Sequence, residues 1–190
     1  MKNNWKWVYN PFEKVAGLKA FGIGIVVLSI TTILGYFGST VFYALEIKTA
    51  PAVTWSAAFS LQALGLAVTV AVMYLAALLF TRQVRFQDIL GTVTLAKYPL
   101  LLAALLSLVF GKSLASIDVN KLLTMEFTFL DLAPLMIFGI ATMSCVIWEI
   151  ALLYNAFRVS TNLKGVKCAV LFAAILLVAE IITIVLASAI

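Results

Sequence analysis

Three ionisable residues stand inside long uncharged runs of this chain: Lys97, Glu149 and Glu180. A charge held at depth in hydrocarbon costs about 2.5–3.5 kcal/mol on insertion scales, so a residue of this kind faces a partner, a cavity or a pathway. The two glutamates and Asp88 are the available bases for any lipid chemistry, but no motif organises them. His is absent from the chain, which removes the commonest general base and the commonest metal-ligand side chain. Neither a phosphate-cradling glycine loop nor an H-E-x-x-H helix is present. Cys145 and Cys168 belong to no C-x-x-C pair and read as small buried or interfacial side chains. The expectation is a protein that is not an enzyme, with no catalytic residues, cofactor or metal.

Composition explains what must position these groups. Of 190 residues, 64% are hydrophobic and 11% charged, against about 45–50% and about 25% in an ordinary soluble domain. The apolar residues form runs near the 20 residues that cross a bilayer. Charges divide the chain into five spans, at about 20–45, 58–81, 89–110, 132–157 and 168–190. Lipid offers no partner to an unpaired backbone group, so the expected fold is an all-α, polytopic membrane helical bundle with five transmembrane helices in one domain.

The basic residues are scattered between apolar runs and do not form the stripe that nucleic acid requires. Topology explains them better, because Lys and Arg accumulate in cytoplasmic connections. One side carries Lys2, Lys6, Lys14, Lys19, Arg82, Arg85, Arg158, Lys164 and Lys167, and the other only Lys48, Lys112 and Lys121. This predicts a cytoplasmic N-terminus and an outside C-terminus. The inner rim, Arg82, Arg85, Phe86, Arg158, Lys164 and Lys167, is then the candidate surface for a cytosolic protein or anionic lipid, although topology alone also accounts for its charge.

Residues 1–19 read as an interfacial segment. Asn10, Pro11 and Glu13 predict a capped helix start, and Trp5, Trp7, Tyr9 and Phe12 an aromatic belt among lysines. The connection from Gly111 to Asp131 predicts a short amphipathic helix on the outer face, with Phe127 and Phe129 dipping into the interface. Small residues recur at spacings of four: Ala16, Ala20 and Gly24; Ala63, Ala67 and Ala71; Gly165, Ala169 and Ala173. Such stripes serve helix packing within the bundle or, alternatively, a homo-oligomer.

Depth counting pairs the buried charges. Lys97 lies 9 residues past Asp88 on an outward span, and Glu149 lies 9 residues before Arg158 on an inward one. Both stand roughly 13 Å from the inner boundary, with Glu180 roughly 6 Å deeper. Lys97 is therefore expected to pair with Glu149, with Glu180 as the alternative partner. Glu180 itself is expected to hydrogen-bond a neighbouring helix, the alternative being a place in a proton or ion path. Cys168, at the edge of the last span, is expected to be open to a thiol reagent.

Two stretches resemble the Yip domain family, the Ypt/Rab-interacting membrane proteins and their bacterial relatives. One is "IWEIALLYNAFRVSTNLKGVKCAVLFAAILLV", with its Trp, Leu-rich turn, basic polar connection and small-residue-rich last span. The other is "VRFQDILGTVTLAKYPLLLAALLSLVF", where Phe86, Tyr98 and Pro99 match the entry to the third span and Lys97 departs from the usual small or hydroxyl residue. The resemblance implies five spans with the N-terminus inside and a non-enzymatic membrane scaffold or membrane-organising protein. The short segment before the first span points to a bacterial-type member in the plasma membrane, without the acidic Rab-binding region of eukaryotic relatives. The competing class is a small-solute or proton-coupled transporter, which five spans would build as a dimer.

Overall fold

A computed structural model describes residues 6–80, 84–115 and 129–189. Arg82, Lys2, Trp5 and most of the expected outer amphipathic helix, Phe127 included, lie outside the described residues. A short helix α1 (Lys6–Tyr9) and a single 3-10 turn (Pro11–Glu13) precede α2 (Gly17–Phe37). A hairpin of β1 (Thr40–Tyr43) and β2 (Glu46–Thr49) leads to α3 (Trp55–Phe80), followed by α4 (Phe86–Ala96) and α5 (Leu100–Ala115). Two long helices complete the chain, α6 (Phe129–Thr161) and α7 (Gly165–Ala187).

Five segments, 17–37, 55–80, 86–115, 132–161 and 165–187, are long and apolar enough to cross a bilayer. Their outward faces are apolar: Leu79 is 82% exposed and Val166 79%. So large an apolar surface belongs in lipid. Inside the helices, hydroxyls are satisfied locally. Thr31, Thr69, Thr142 and Thr183 each donate to the carbonyl four residues back, so these buried groups need no solvent. The bundle is helical as the composition predicts, and the third span is its most buried member.

Three boundaries differ from the sequence reading. The first span ends at Phe37, and residues counted to its end at 45 form the hairpin instead. The third span is two helices: Lys97, Tyr98 and Pro99 form a turn bridged by short-range bonds such as Leu100 N–H to the Lys97 carbonyl, 3.0 Å. Pro99 lacks an N–H and disfavours helical geometry in the residue before it, which breaks the span there. Asn10 precedes only the 3-10 turn of Pro11–Glu13 and makes no side-chain capping bond to its backbone; its Nδ2 donates instead to Glu13 Oε1 at 3.0 Å. The first long helix begins at Gly17, whose φ of +60° suits glycine. Phe12, expected in an interfacial belt, is instead buried in the hydrophobic core that also holds Phe157 and Phe172.

Of the first stripe of small residues, Ala20 and Gly24 pack within the bundle and Ala16 is exposed: a Cβ at Gly24 would meet the Thr94 carbonyl carbon at 2.7 Å. Ala63, Ala67 and Ala71, like Gly165, Ala169 and Ala173, face outward. Cys145 and Cys168 are free thiols and both are buried, which corrects the expected reactivity of Cys168.

Candidate functional site in the bundle centre

The hairpin is the element that assembles the site. It enters from the end of the bundle opposite the basic rim and descends along α5. Gly38 lies against Ser107 and Gly111, Phe42 packs with Leu100, Ala103 and Ala104, and the turn reaches Lys97. Four strand residues cover about 13 Å at 3.3 Å each. From the basic end the 11 residues of α4 rise about 16 Å. The two distances together match a hydrocarbon core of about 30 Å, so the turn and the break in the third span meet near the middle of the layer.

Non-helical backbone at that depth requires protein on every side. Thr40, Val41, Phe42, Tyr43 and Ala44 are all buried. The turn residues are Ala44 and Leu45, between the paired Tyr43 and Glu46, and Ala44 has a φ of 45° where hairpins ordinarily place Gly, Asn or Asp. Gly65 of α3 makes room for it, since a Cβ there would overlap the Ala44 amide nitrogen.

The turn's exposed backbone groups are held by the buried charges. Lys97 Nζ donates to the Ala44 carbonyl at 2.8 Å and to Glu149 Oε1 at 2.7 Å. Leu45 N–H donates to Glu180 Oε2 at 3.2 Å. Lys97 and Glu149 are both fully buried, so the pair found by depth counting is the pair the fold forms. Glu180 bonds the hairpin and not the neighbouring helix that was expected. Its partner was unreadable because the hairpin was counted as helix. Glu149 Oε2 is buried with no hydrogen-bond partner. A lysine at the C-terminal end of α4 also meets the negative end of that helix's dipole, which offsets part of its desolvation.

A residue adjacent to each member of the pair, Tyr98 after Lys97 and Trp148 before Glu149, faces the N-terminal segment. Tyr98 Oη and Trp148 Nε1 both donate to the Val8 carbonyl, at 2.6 and 2.7 Å, with their rings edge to face at 5.1 Å. Asn155 Nδ2 donates to the Tyr9 carbonyl at 2.8 Å. Residues 8 and 9 thus lie along α6 near the level of the ion pair. This docking was not anticipated; Tyr98, Trp148 and Asn155, hydrogen-bond donors within apolar spans, were its signal.

The described rim residues, Arg85, Phe86, Arg158, Lys164 and Lys167, divide among different surroundings. Arg158 and Lys164, with Asn10 and Glu13, line a polar cup of about 280 Å³. Lys167 borders an apolar hollow with Phe80 and Val170. Phe86 stacks edge to face on Tyr74 at 5.2 Å, and Arg85 is exposed. Among the described residues no group of three or more acidic, Cys or His side chains is placed to hold a metal ion.

No protein-family model, curated protein or solved structure matches this chain. The fold and the site geometry therefore carry the functional argument alone.

Proposed function

We propose that this integral membrane protein is a non-catalytic scaffold or adaptor of Yip type, in which the buried charges hold the fold and the basic rim meets a cytosolic protein or anionic lipid. The observation that carries this reading is the sealed Lys97–Glu149 pair, fully buried and bonded to the hairpin turn. Charges committed to backbone and to each other at the same depth act as a lock between segments. The polar cup with Arg158 and Lys164 supplies the charge-assisted donors that a carboxylate or phosphate would take. In a plasma membrane with the N-terminus inside, that cup faces the cytosol.

The test is capture from mild detergent with identification of co-purifying proteins and lipids, comparing the native chain with Arg158→Glu/Lys164→Glu. A recurrent partner lost in the double variant supports the scaffold. The second reading, a solute or proton carrier working as a dimer, is favoured by the broken third span facing a re-entrant hairpin near mid-membrane, since carriers build sites from such interrupted segments. Solute or proton flux in reconstituted vesicles, abolished by Glu180→Gln, would establish the carrier and displace the scaffold.

A further inference from the structure

The turn between α6 and α7 is flanked by two recesses of opposite chemistry. One is the polar cup, which holds Arg158 and Lys164. The other is the apolar hollow between the end of α3 and the start of α7, walled by Phe80, Val166, Val170 and Ala174, with Lys167 as its single charge. Leu163 lines both. A ligand with a polar head and an apolar tail can therefore sit across this turn with each end in matching surroundings.

The charged groups of the turn are open to such a ligand. Arg158, Lys164 and Lys167 are all exposed, and among the described residues none of the three holds a hydrogen bond or an ion pair. A guanidinium and an ammonium in one cup are the donors that a phosphate takes, and basic pockets at a membrane edge recognise anionic head groups. The one acid of the cup, Glu13, accepts from Asn10 Nδ2 at 3.0 Å. Two cations against one carboxylate leave an excess of one positive charge, which a phosphodiester with its single negative charge complements. Lys167 adds a second cation on the hollow's side, its stem lying along apolar surface while its ammonium reaches the headgroup level.

The hollow has the depth of one leaflet. From Val166 to Ala174, α7 rises about 12 Å, most of the roughly 15 Å that is half of a 30 Å hydrocarbon core. Val166, Val170 and Ala174 are exposed and face lipid. A free phosphate or an acidic peptide would use the cup alone, whereas a glycerophospholipid uses both recesses. We propose that the α6–α7 turn binds one molecule of a singly charged anionic glycerophospholipid, its phosphate held by Arg158 and Lys164 and one acyl chain lying along Val166, Val170 and Ala174. This site rests on the reading of the rim as a binding surface, and it commits the cup's ligand to lipid.

The test uses the full chain in phosphatidylcholine nanodiscs containing a few per cent phosphatidylglycerol, with a photoreactive diazirine in one acyl chain of either lipid. At equal probe concentration, phosphatidylglycerol should label residues 163–174 about ten-fold more than phosphatidylcholine does. Native mass spectrometry after transfer to mild detergent should find one phosphatidylglycerol retained per chain. Arg158→Gln/Lys164→Gln and Val170→Trp should each lose it, since both change exposed positions of the site. Millimolar glycerol 3-phosphate should not displace it. Equal labelling by the two probes would mean annular lipid only and overturn the proposal. Displacement by glycerol 3-phosphate, or retention by Val170→Trp, would show an anion held in the cup without a chain and overturn it as well. Labelling and displacement in the native chain keep the test decisive if a variant does not fold. No partner protein is present, so a failure here leaves the scaffold reading to be decided by the capture experiment on the rim.

Discussion

Replacing Lys97 by Ala should be among the most damaging single changes in this bundle. The substitution leaves Glu149 fully buried without its cation and removes the donor to the Ala44 carbonyl. Breaking a buried pair from one side costs about 3–5 kcal/mol, because an uncompensated charge remains. Glu149→Ala should cost a similar amount, since it strands the ammonium with only the Ala44 carbonyl. The double variant Lys97→Met/Glu149→Leu distinguishes the lock from simple packing. It removes both charges and keeps apolar volume, so its residual cost is the orphaned Ala44 carbonyl, about 1–3 kcal/mol. The double variant should therefore be more stable than either single one, with a coupling of several kcal/mol. Reversible unfolding in mixed micelles titrated with SDS, followed by the fluorescence of the four tryptophans, measures all four proteins. Single variants within about 1 kcal/mol of the native protein, or a double variant as unstable as the sum of the singles, would refute the lock.

Other changes probe the hairpin and the packing around it. Glu180→Gln keeps a carbonyl to accept from Leu45 N–H and should cost under about 1 kcal/mol, whereas Glu180→Leu orphans that amide and should cost about 1–3 kcal/mol; the same SDS titration compares them. Gly65→Val should lower the melting temperature in detergent, because the Cβ overlaps the turn and overpacking costs about 1–3 kcal/mol. Gly22→Ala is its control: nothing lies within 4 Å of the added Cβ, so the better helix former should leave stability unchanged or raised by up to about 1 kcal/mol. Cys145 and Cys168 are buried, so both should react with a maleimide slowly in the folded protein and fully after SDS denaturation. Rapid native labelling of Cys168 would contradict its burial.

The spans were legible because charges punctuate the chain, and Lys97 and Glu149 could be matched because depth along a membrane helix is a simple count. The hairpin was hidden for a physical reason. "TVFY" is as apolar as the helix before it, so a hydropathy window runs straight through. Its only local signs are Gly38, the β-branched and aromatic run, and the polar Glu46 and Lys48. The turn itself carries Ala44 where a glycine or asparagine would have announced it, and tertiary contacts hold its unusual φ. Pro99 marked the break in the third span, but proline is tolerated inside membrane helices, so the residue alone did not require two helices.

The central claim is that a re-entrant hairpin meets the broken third span in the middle of the membrane. Depth measurement by electron paramagnetic resonance tests it most directly. A nitroxide is placed at Leu45→Cys in a Cys145→Ala/Cys168→Ala background in nanodiscs, and its collisions with oxygen are compared with those with a water-soluble nickel chelate. The turn should lie within about 5 Å of the mid-plane of the roughly 30 Å hydrocarbon layer, far deeper than a control label at Trp55→Cys. A Leu45 label at the same headgroup depth as the Trp55 control would contradict the account.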